Sequence, residues 1–456
     1  MLRRRSNGST IESLQQMEAQ LDALQDRSAS ILMLRAGSRW RESGERSNAY
    51  FYRTLRSRQY QTSISSLQSS NGELVDEPSA LTQCAQEYYE QLYSPDPIDC
   101  DAIESLLSNI PADVRVDPAS SASLLQPWTA DDVQECLNRT PTTSSPGVDG
   151  IPYVILKLLF KHPFCRGLFL EVLRIALLEH RYLETWQRSV VVLLPKKGDR
   201  SSLKNWRPIS LIGADAKVFT RLLANRVNQC LPSLIDQHQT GFMQGRFIAD
   251  NGLCARLIMD MAKRFKIPGV GLLLDQEKAY DRVHPAYLQA CLRRFGFPES
   301  FISCISTLFF QTSLCVNVNG FLSAPFAQGR GLRQGDPLSP LLFNLALEPL
   351  PRTLMSSSQL SGFRFLTDST AERPILKSLA YADDILVFLS SPSELPILLS
   401  TISMYERASN ARLNRDKTLA VSLSGEPQPD IQQALMSANI VKWHDKHSID
   451  AAIYSG

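Results

Sequence analysis

The sequence predicts an α+β protein in which an antiparallel sheet is backed by helices. Two observations predict the sheet. Leu379-Ala380-Tyr381 and Ile385-Leu386-Val387-Phe388 are short apolar runs that suit paired strands, with a tight turn through Ala382-Asp383-Asp384 between them. Val270-Gly271-Leu272-Leu273-Leu274 has the continuous apolar pattern of a buried strand, and Asp275 ends it. A third observation predicts the helices. Residues 154–180 are a Leu-, Phe- and Ile-rich block that reads as buried helix, and residues 213–235 repeat apolar side chains at helical spacing through Val218, Phe219, Leu222, Leu223, Val227 and Leu231.

The remaining elements follow in chain order. Leu14, Met17, Leu21, Leu24 and Ile31 give residues 11–34 an amphipathic helical pattern. It is barely three heptads long, so docking on its own body is expected over a coiled coil. Arg39-Trp40-Arg41 through Tyr50-Phe51-Tyr52-Arg53 then interleaves Arg with aromatics. Such a surface suits RNA backbone and unstacked bases, and core packing of the aromatics is the plain alternative. Residues 61–75 read as a hairpin turning at Ser70-Asn71-Gly72, and 80–93 as a helix. Five prolines between 94 and 128 mark a linker with short helical pieces. Thr129 with Asp132 three residues on is an N-cap signal for a helix ending before Pro141. Ser144–Pro152 is a loop whose glycines allow a backbone to approach closely. Ser189–Leu194 is a strand, and a turn over Asp199–Lys204 leads to Arg207-Pro208-Ile209. Gln239–Ile248 reads as a loop, Gln276–Asp281 as a turn entering a helix, and the Gly-rich turn Gly329–Gly335 precedes a helix over Leu341–Leu350.

Composition bounds the class. Hydrophobic residues make up 43% of the 456 and charged residues 21%, which fits an ordinary soluble protein of more than one subdomain. The net charge of +2 does not by itself announce a nucleic-acid binder. Its distribution does more: residues 1–66 hold eleven Arg, no Lys and six acids. Arg suits phosphate through its bidentate fork, while a solvated helical face is the plain reading of the same charges. Nine Cys without a C-x-x-C pair argue against a zinc site or a disulfide framework and for a reducing compartment. Neither a signal peptide nor a membrane-length apolar run is present, so the expected location is intracellular, in the cytoplasm or nucleus, with no membrane partner.

Chemistry concentrates in three carboxylates. A hairpin tip holds Asp383 and Asp384 rigidly, as a hard cation such as Mg²⁺ requires. With Asp275 at a strand end they could share two Mg²⁺ ions about 3.5–4 Å apart and clamp the two oxygens of a phosphoryl transfer. The plain readings are a solvated turn and an ordinary strand-end Asp. Lys196, Lys197 and Arg207 lie close together on the hairpin that follows Ser189–Leu194. They suit a triphosphate, or simply a soluble surface, and the two lysines cannot both point the same way from a strand.

Several motifs in order carry a resemblance. They are Ser145-Pro146-Gly147-Val148-Asp149-Gly150-Ile151-Pro152, Leu194-Pro195-Lys196-Lys197-Gly198-Asp199 and Asn205-Trp206-Arg207-Pro208-Ile209-Ser210-Leu211. Asp236-Gln237, Thr240-Gly241-Phe242 and Gly245-Arg246 follow, then Asp275 with Lys278-Ala279-Tyr280-Asp281. Gly331-Leu332-Arg333-Gln334-Gly335-Asp336-Pro337 precedes Tyr381-Ala382-Asp383-Asp384, and Leu413-Asn414 with Lys417 comes last. With these motifs the chain resembles the reverse transcriptases of non-LTR retrotransposons, the long interspersed element type.

The resemblance implies a right-hand polymerase and assigns roles. Residues 1–128 become an N-terminal extension in which Arg39, Arg41 and Arg53 meet RNA. Residues 129–456 become fingers and palm, with core motifs from about 171 on. Asp275, Asp383 and Asp384 become catalytic ligands of two Mg²⁺, for which Mn²⁺ can stand in; Asp384 is the weaker or outer one. Tyr280 packs under the sugar and excludes a 2′-hydroxyl, Gln334 belongs to the deoxynucleotide site, and Arg333 adds charge beside it. Arg207 and one of Lys196 and Lys197 hold the triphosphate. Gly147, Asp149 and Gly150 lie against the template, although Ser144 stands where the family often has Lys. Arg246 meets template backbone, and Asp336 belongs to a helix start rather than a metal. The implied partners are an RNA template, a DNA primer and deoxynucleoside triphosphates. Ile453-Tyr454-Ser455-Gly456 resembles the start of the primer grip, so the expectation is a chain truncated before its thumb. The rival reading is a catalytically silent remnant that at most binds RNA. A group II intron maturase or a telomerase subunit fits the Gly331–Pro340 and Lys278–Asp281 strings less well.

Overall fold

The computed structural model describes residues 63–141, 144–310, 312–366 and 374–448. The helix expected over 11–34, Arg39, Arg41 and Arg53, and the closing residues 453–456 lie outside the described residues. The chain divides into Met1–Ile64 and Ser65–Gly456, and every element below belongs to the second unit.

A hairpin of β1 (Leu67–Gln68) and β2 (Leu74–Val75) turns through Gly72 at φ +84°, the left-handed backbone a glycine adopts freely. Three helices follow, α1 (Pro78–Tyr93), α2 (Cys100–Ser108) and α3 (Pro118–Leu124). Asp99 and Asp117 cap α2 and α3 by accepting backbone N–H groups. α4 (Ala130–Asn138) begins at a reciprocal capping box between Thr129 and Asp132. α2 and α3 send Leu106 and Leu124 into the same core as the central sheet.

The apolar block over 154–180 is two helices, α5 (Tyr153–Lys161) and α6 (Pro163–Leu178). Pro163 holds His162 extended at ψ 125° and so breaks the run. The block is also less buried than expected: Leu158 is 63% and Phe164 73% exposed. After it come β3 (Arg188–Pro195), β4 (Trp206–Leu211), the long α7 (Ala214–Leu234) and α8 (Ile248–Phe265). Then come β5 (Val270–Leu274), α9 (Pro285–Arg294), α10 (Glu299–Phe310), β6 (Thr312–Val318), β7 (Phe321–Leu322) and β8 (Phe326–Gln328). α11 (Ser339–Leu347), α12 (Pro349–Ser356), β9 (Phe363–Arg364), β10 (Ile375–Leu376), β11 (Ser378–Tyr381) and β12 (Asp384–Leu389) follow. α13 (Leu395–Ser409), β13 (Leu419–Ser422), α14 (Pro429–Ser437) and β14 (Lys442–His444) complete the described elements.

Two larger sheets organise the unit. The central one has the order β11-β12-β5-β13-β14, antiparallel except for β13 with β14. Its two faces separate by the period-2 rule. Ile385, Val387, Leu272, Leu274 and Ala420 join the main helical core, while Leu379, Phe388 and Leu423 pack with Ile258 and Ala262 of α8. β5 is therefore covered on both sides, which is why it reads as a continuous apolar run. The second sheet has the order β4-β3-β6-β7, with β8 also on β6. Among the described residues, no helix is long and apolar enough to cross a membrane.

Candidate active site

The C-terminal end of β5 and the β11–β12 turn meet at one edge of the central sheet. Ile385 pairs with Leu274 and Tyr381 with Asp384, so the same antiparallel register, continued one step, sets Asp384 opposite Asp275. The turn itself is two residues, Ala382 and Asp383. Ala382 has φ +52°, a left-handed conformation that a side-chain-bearing residue adopts at a cost of about 1–2 kcal/mol. The strain sits immediately beside the carboxylates.

Those carboxylates repel one another in a partly dry site. Burial, then the neighbouring Asp383 and Asp275, push Asp384 up to about 7. Burial raises Asp383 as well, with Asp275 adding to the effect. Asp275 is raised by burial but relieved by Lys417, by a hydrogen bond from Asn414 and by Lys196. Three acids held together against their own charge are a donor set of hard oxygens suited to Mg²⁺. Among the described residues, no group of three or more His, Cys, Asp or Glu is arranged as a ready-made metal cage.

Cations act on the acids from the β3–β4 hairpin. β3 and β4 pair Leu194 with Arg207, and Lys196 follows at the tip, its N–H bonded to the Asn205 carbonyl at 2.7 Å. Arg207 and Lys196 both act electrostatically on Asp383, and Lys196 also on Asp275 and Asp281. Lys196 is held below the ordinary lysine range by burial, then by Arg207 and Lys417. Of the two adjacent lysines, Lys196 is the one directed toward the carboxylates. Lys278, at φ +50°, donates to the Trp206 carbonyl at 3.1 Å and ties the end of β5 to the start of β4. Burial pushes it down to about 8.

Tyr280 stacks on Phe343 of α11, with ring centroids 4.5 Å apart and planes 13° from parallel. Its hydroxyl is buried without a hydrogen-bond partner among the described residues. Gln334 reaches the fully buried Asp281, and the backbone of the Gly-rich turn presses on the same place. A Cβ on Gly331 would meet the Asp281 carbonyl oxygen at 2.6 Å, so only glycine fits at its φ of +89°.

Other sequence candidates are placed elsewhere. Arg333 is 2% exposed and donates to the carbonyls of Trp186 and Leu308, with its guanidinium 5.3 Å from the Phe309 ring centre. The expectation that it adds charge to the nucleotide site is corrected, because the turn directs it into the core. Arg246 donates to the carbonyls of Ile235, Asp236 and Gln239, so its guanidinium ties its own loop together. A Cβ on Gly147 would lie 2.3 Å from the Gly213 nitrogen, so the backbone this glycine admits is the protein's own. Asp149 accepts the Ile151 N–H at 3.1 Å, and Gly150, at φ +69°, faces open space. Asp336 accepts the Leu338 N–H at the start of α11, as a helix-start residue. Sequence reasoning missed Gln239, whose buried amide contacts the carboxylate turn, and the pairing of Asp281 with Gln334. Its position between Gln237 and Gly241 in a loop motif is the signal that could have found Gln239.

The reverse transcriptase (RNA-dependent DNA polymerase) family matches residues 194–446. The transposon TX1 uncharacterized 149 kDa protein of Xenopus laevis is 32% identical over 91% of this chain and 31% of its own length. The Pol polyprotein from the type-2 retrotransposable element R2DM of Drosophila melanogaster is 29% identical over 67% of this chain and 28% of its own. The RNA-directed DNA polymerase from the mobile element jockey of Drosophila melanogaster is 23% identical over 73% and 35%. The chain thus spans about a third of the length of these curated relatives. The family match covers more than half of the chain, Asp275, Asp383 and Asp384 included, and the chain belongs to the reverse transcriptase family, alongside relatives from non-LTR retrotransposons.

Proposed function

We propose that this chain carries the fingers and palm of an RNA-directed DNA polymerase, adding deoxynucleotides to a DNA primer as an RNA template directs. The observation that carries the reading is that the end of β5 at Asp275 and the Asp383–Asp384 turn share one sheet edge, within electrostatic reach of Lys196 and Arg207. Asp275 and Asp383 would hold two Mg²⁺, with Asp384 as the outer ligand. When bound, such ions lower the pKa of the primer 3′-hydroxyl and steady charge on the departing pyrophosphate. Lys196 and Arg207 neutralise triphosphate charge from the opposite side. Tyr280, flat on Phe343, forms a floor for the sugar that leaves no room for a 2′-hydroxyl. Gln334 fixes the nucleotide from the Gly-rich turn. No side chain need act as a nucleophile, since the primer hydroxyl attacks.

Primer extension by the purified chain on an RNA template tests the reading. Extension that requires a divalent ion and vanishes in Asp383→Asn is the expected result. RNA binding without extension under Mg²⁺ or Mn²⁺ would favour the silent RNA-binding remnant.

A further inference from the structure

The turn that carries the candidate catalytic pair is strained, and one side chain spans it. Gln239 is 3% exposed. Its Oε1 accepts the Ala382 N–H at 2.9 Å, and its Nε2 donates to the Ala382 carbonyl at 3.1 Å. Both backbone groups of the left-handed residue are therefore tied to one amide. The same Oε1 accepts the Gly241 N–H at 2.9 Å, which fixes the amide to its own loop. The loop is docked on β11 as well: Thr240 N–H donates to the Ala380 carbonyl at 2.9 Å, and Ala380 N–H to the His238 carbonyl at 3.0 Å. Gly241 lies so close that a Cβ there would meet the Ala382 nitrogen at 2.1 Å.

We propose that Gln239 is a positioning residue of the polymerase site: its amide holds Ala382 in the left-handed turn and thereby aims Asp383 and Asp384. This rests on the polymerase reading above. A two-residue hairpin turn ordinarily places glycine, asparagine or aspartate where φ is positive. Here an alanine occupies that position, so the conformation needs external support. An amide is suited to give it, because one planar group offers an acceptor and a donor to the two ends of a single residue. A carboxylate or an apolar side chain at 239 would supply half of this pattern or none. Asp383 follows Ala382 directly, so relaxation of the turn rotates the carboxylate away from Asp275. Displacement of a reacting group by about 1 Å can cost on the order of a hundredfold in rate.

The test uses the full chain and two readouts. Gln239→Met keeps the length and apolar volume of the stem and removes both hydrogen bonds. Hydrogen exchange of the Ala382 amide should accelerate at least about tenfold, while amides of Leu272 and Leu273 exchange as in the parent. In single-nucleotide extension kcat should fall about ten- to a hundredfold, with the deoxynucleotide KM within about threefold. Adding Ala382→Gly, which adopts positive φ without cost, should restore at least about threefold of the lost kcat. A residue that merely stabilised the fold would cost no kcat in the folded variant and leave Ala382→Gly nothing to restore. If Gln239→Met does not fold, the smaller Gln239→Ala also removes both hydrogen bonds, and Ala382 exchange should again accelerate. Unchanged exchange at Ala382, or an unchanged kcat in an active parent, overturns the proposal. If the parent shows no extension while the exchange result holds, the polymerase reading fails and the clamp stands.

Discussion

Gln334 Nε2 donates to both carboxylate oxygens of Asp281, at 3.1 and 3.3 Å. Tyr93 of α1 donates to the same carboxylate at 3.1 Å. The acid is fully buried, and its acceptor capacity turns the Gln334 amide nitrogen inward. Asp281 thus lies one residue beyond Tyr280 and holds the Gly-rich turn rather than the Tyr280 ring.

The buried acid makes stability depend on pH. Burial is the main cause that pushes Asp281 up to about 6, against Lys278, Tyr93 and Gln334, which lower it. Its folded pKa therefore lies above the unfolded value of about 3.9. The native state favours the protonated form, so that contribution is complete below about pH 4 and is lost as pH rises to about 6. Asp281→Asn cannot ionise and should lack the slope. Between pH 4 and pH 7 the parent should lose on the order of 2 kcal/mol relative to the variant. Urea titrations of both chains across that range measure it, and parallel pH profiles would refute it.

Removing a candidate metal ligand should separate activity from stability. Asp275→Asn or Asp383→Asn should abolish extension, while the melting temperature holds or rises because repulsion among the acids is relieved. Asp384→Asn should leave measurable activity, as an outer ligand would. Circular dichroism melts paired with primer extension check both halves. An Asp383→Asn chain within about tenfold of the parent, at unchanged melting temperature, would remove Asp383 from the site.

Tyr280 offers a sharper test through its unpaired hydroxyl. Tyr280→Phe keeps the stack on Phe343 and removes a buried polar group without a partner, so it should stabilise the chain by about 1 kcal/mol. Discrimination against ribonucleotides should survive in Phe and collapse in Tyr280→Val, which lacks the ring. The ratio of kcat/KM for deoxy- and ribonucleotides is the quantity to compare. An equal ratio in Val and the parent would make Tyr280 a packing residue only.

Much of this site was legible because it is built on regular elements. The apolar run of β5 and the twin runs of β11 and β12 state their own register, and they bring Asp275 to Asp383 and Asp384. The Thr129 cap was equally legible, being local. Arg333 was not, since a residue between two left-handed glycines points where the turn directs it, here into the core beside Phe309. Lys278 and Asp281 were hidden for a related reason: charged side chains are read as exposed until a tertiary partner appears. α8 was masked by Gly252 inside it and by exposed Leu253 and Leu257 on its outer side. Gln239 was the hardest, because its partner Ala382 lies far along the chain.

The β3–β4 tip yields the last prediction. Lys196, Lys197 and Arg207 are all exposed at the tip, but it is Lys196 and Arg207 that act on Asp383. If these cations hold the triphosphate, Lys196→Gln and Arg207→Gln should each raise the deoxynucleotide KM by about tenfold, the scale of one lost charge-assisted contact. Lys197→Gln should change it less than about twofold. Raising salt should weaken nucleotide binding in the parent and in Lys197→Gln, and less steeply in the other two variants, which have one fewer charge to screen. The neutral substitutions keep the hairpin, since the Lys196 N–H bond to Asn205 is made by backbone. Equal KM effects at Lys196 and Lys197 would mean that the pair supplies diffuse surface charge, and that the triphosphate is held from elsewhere.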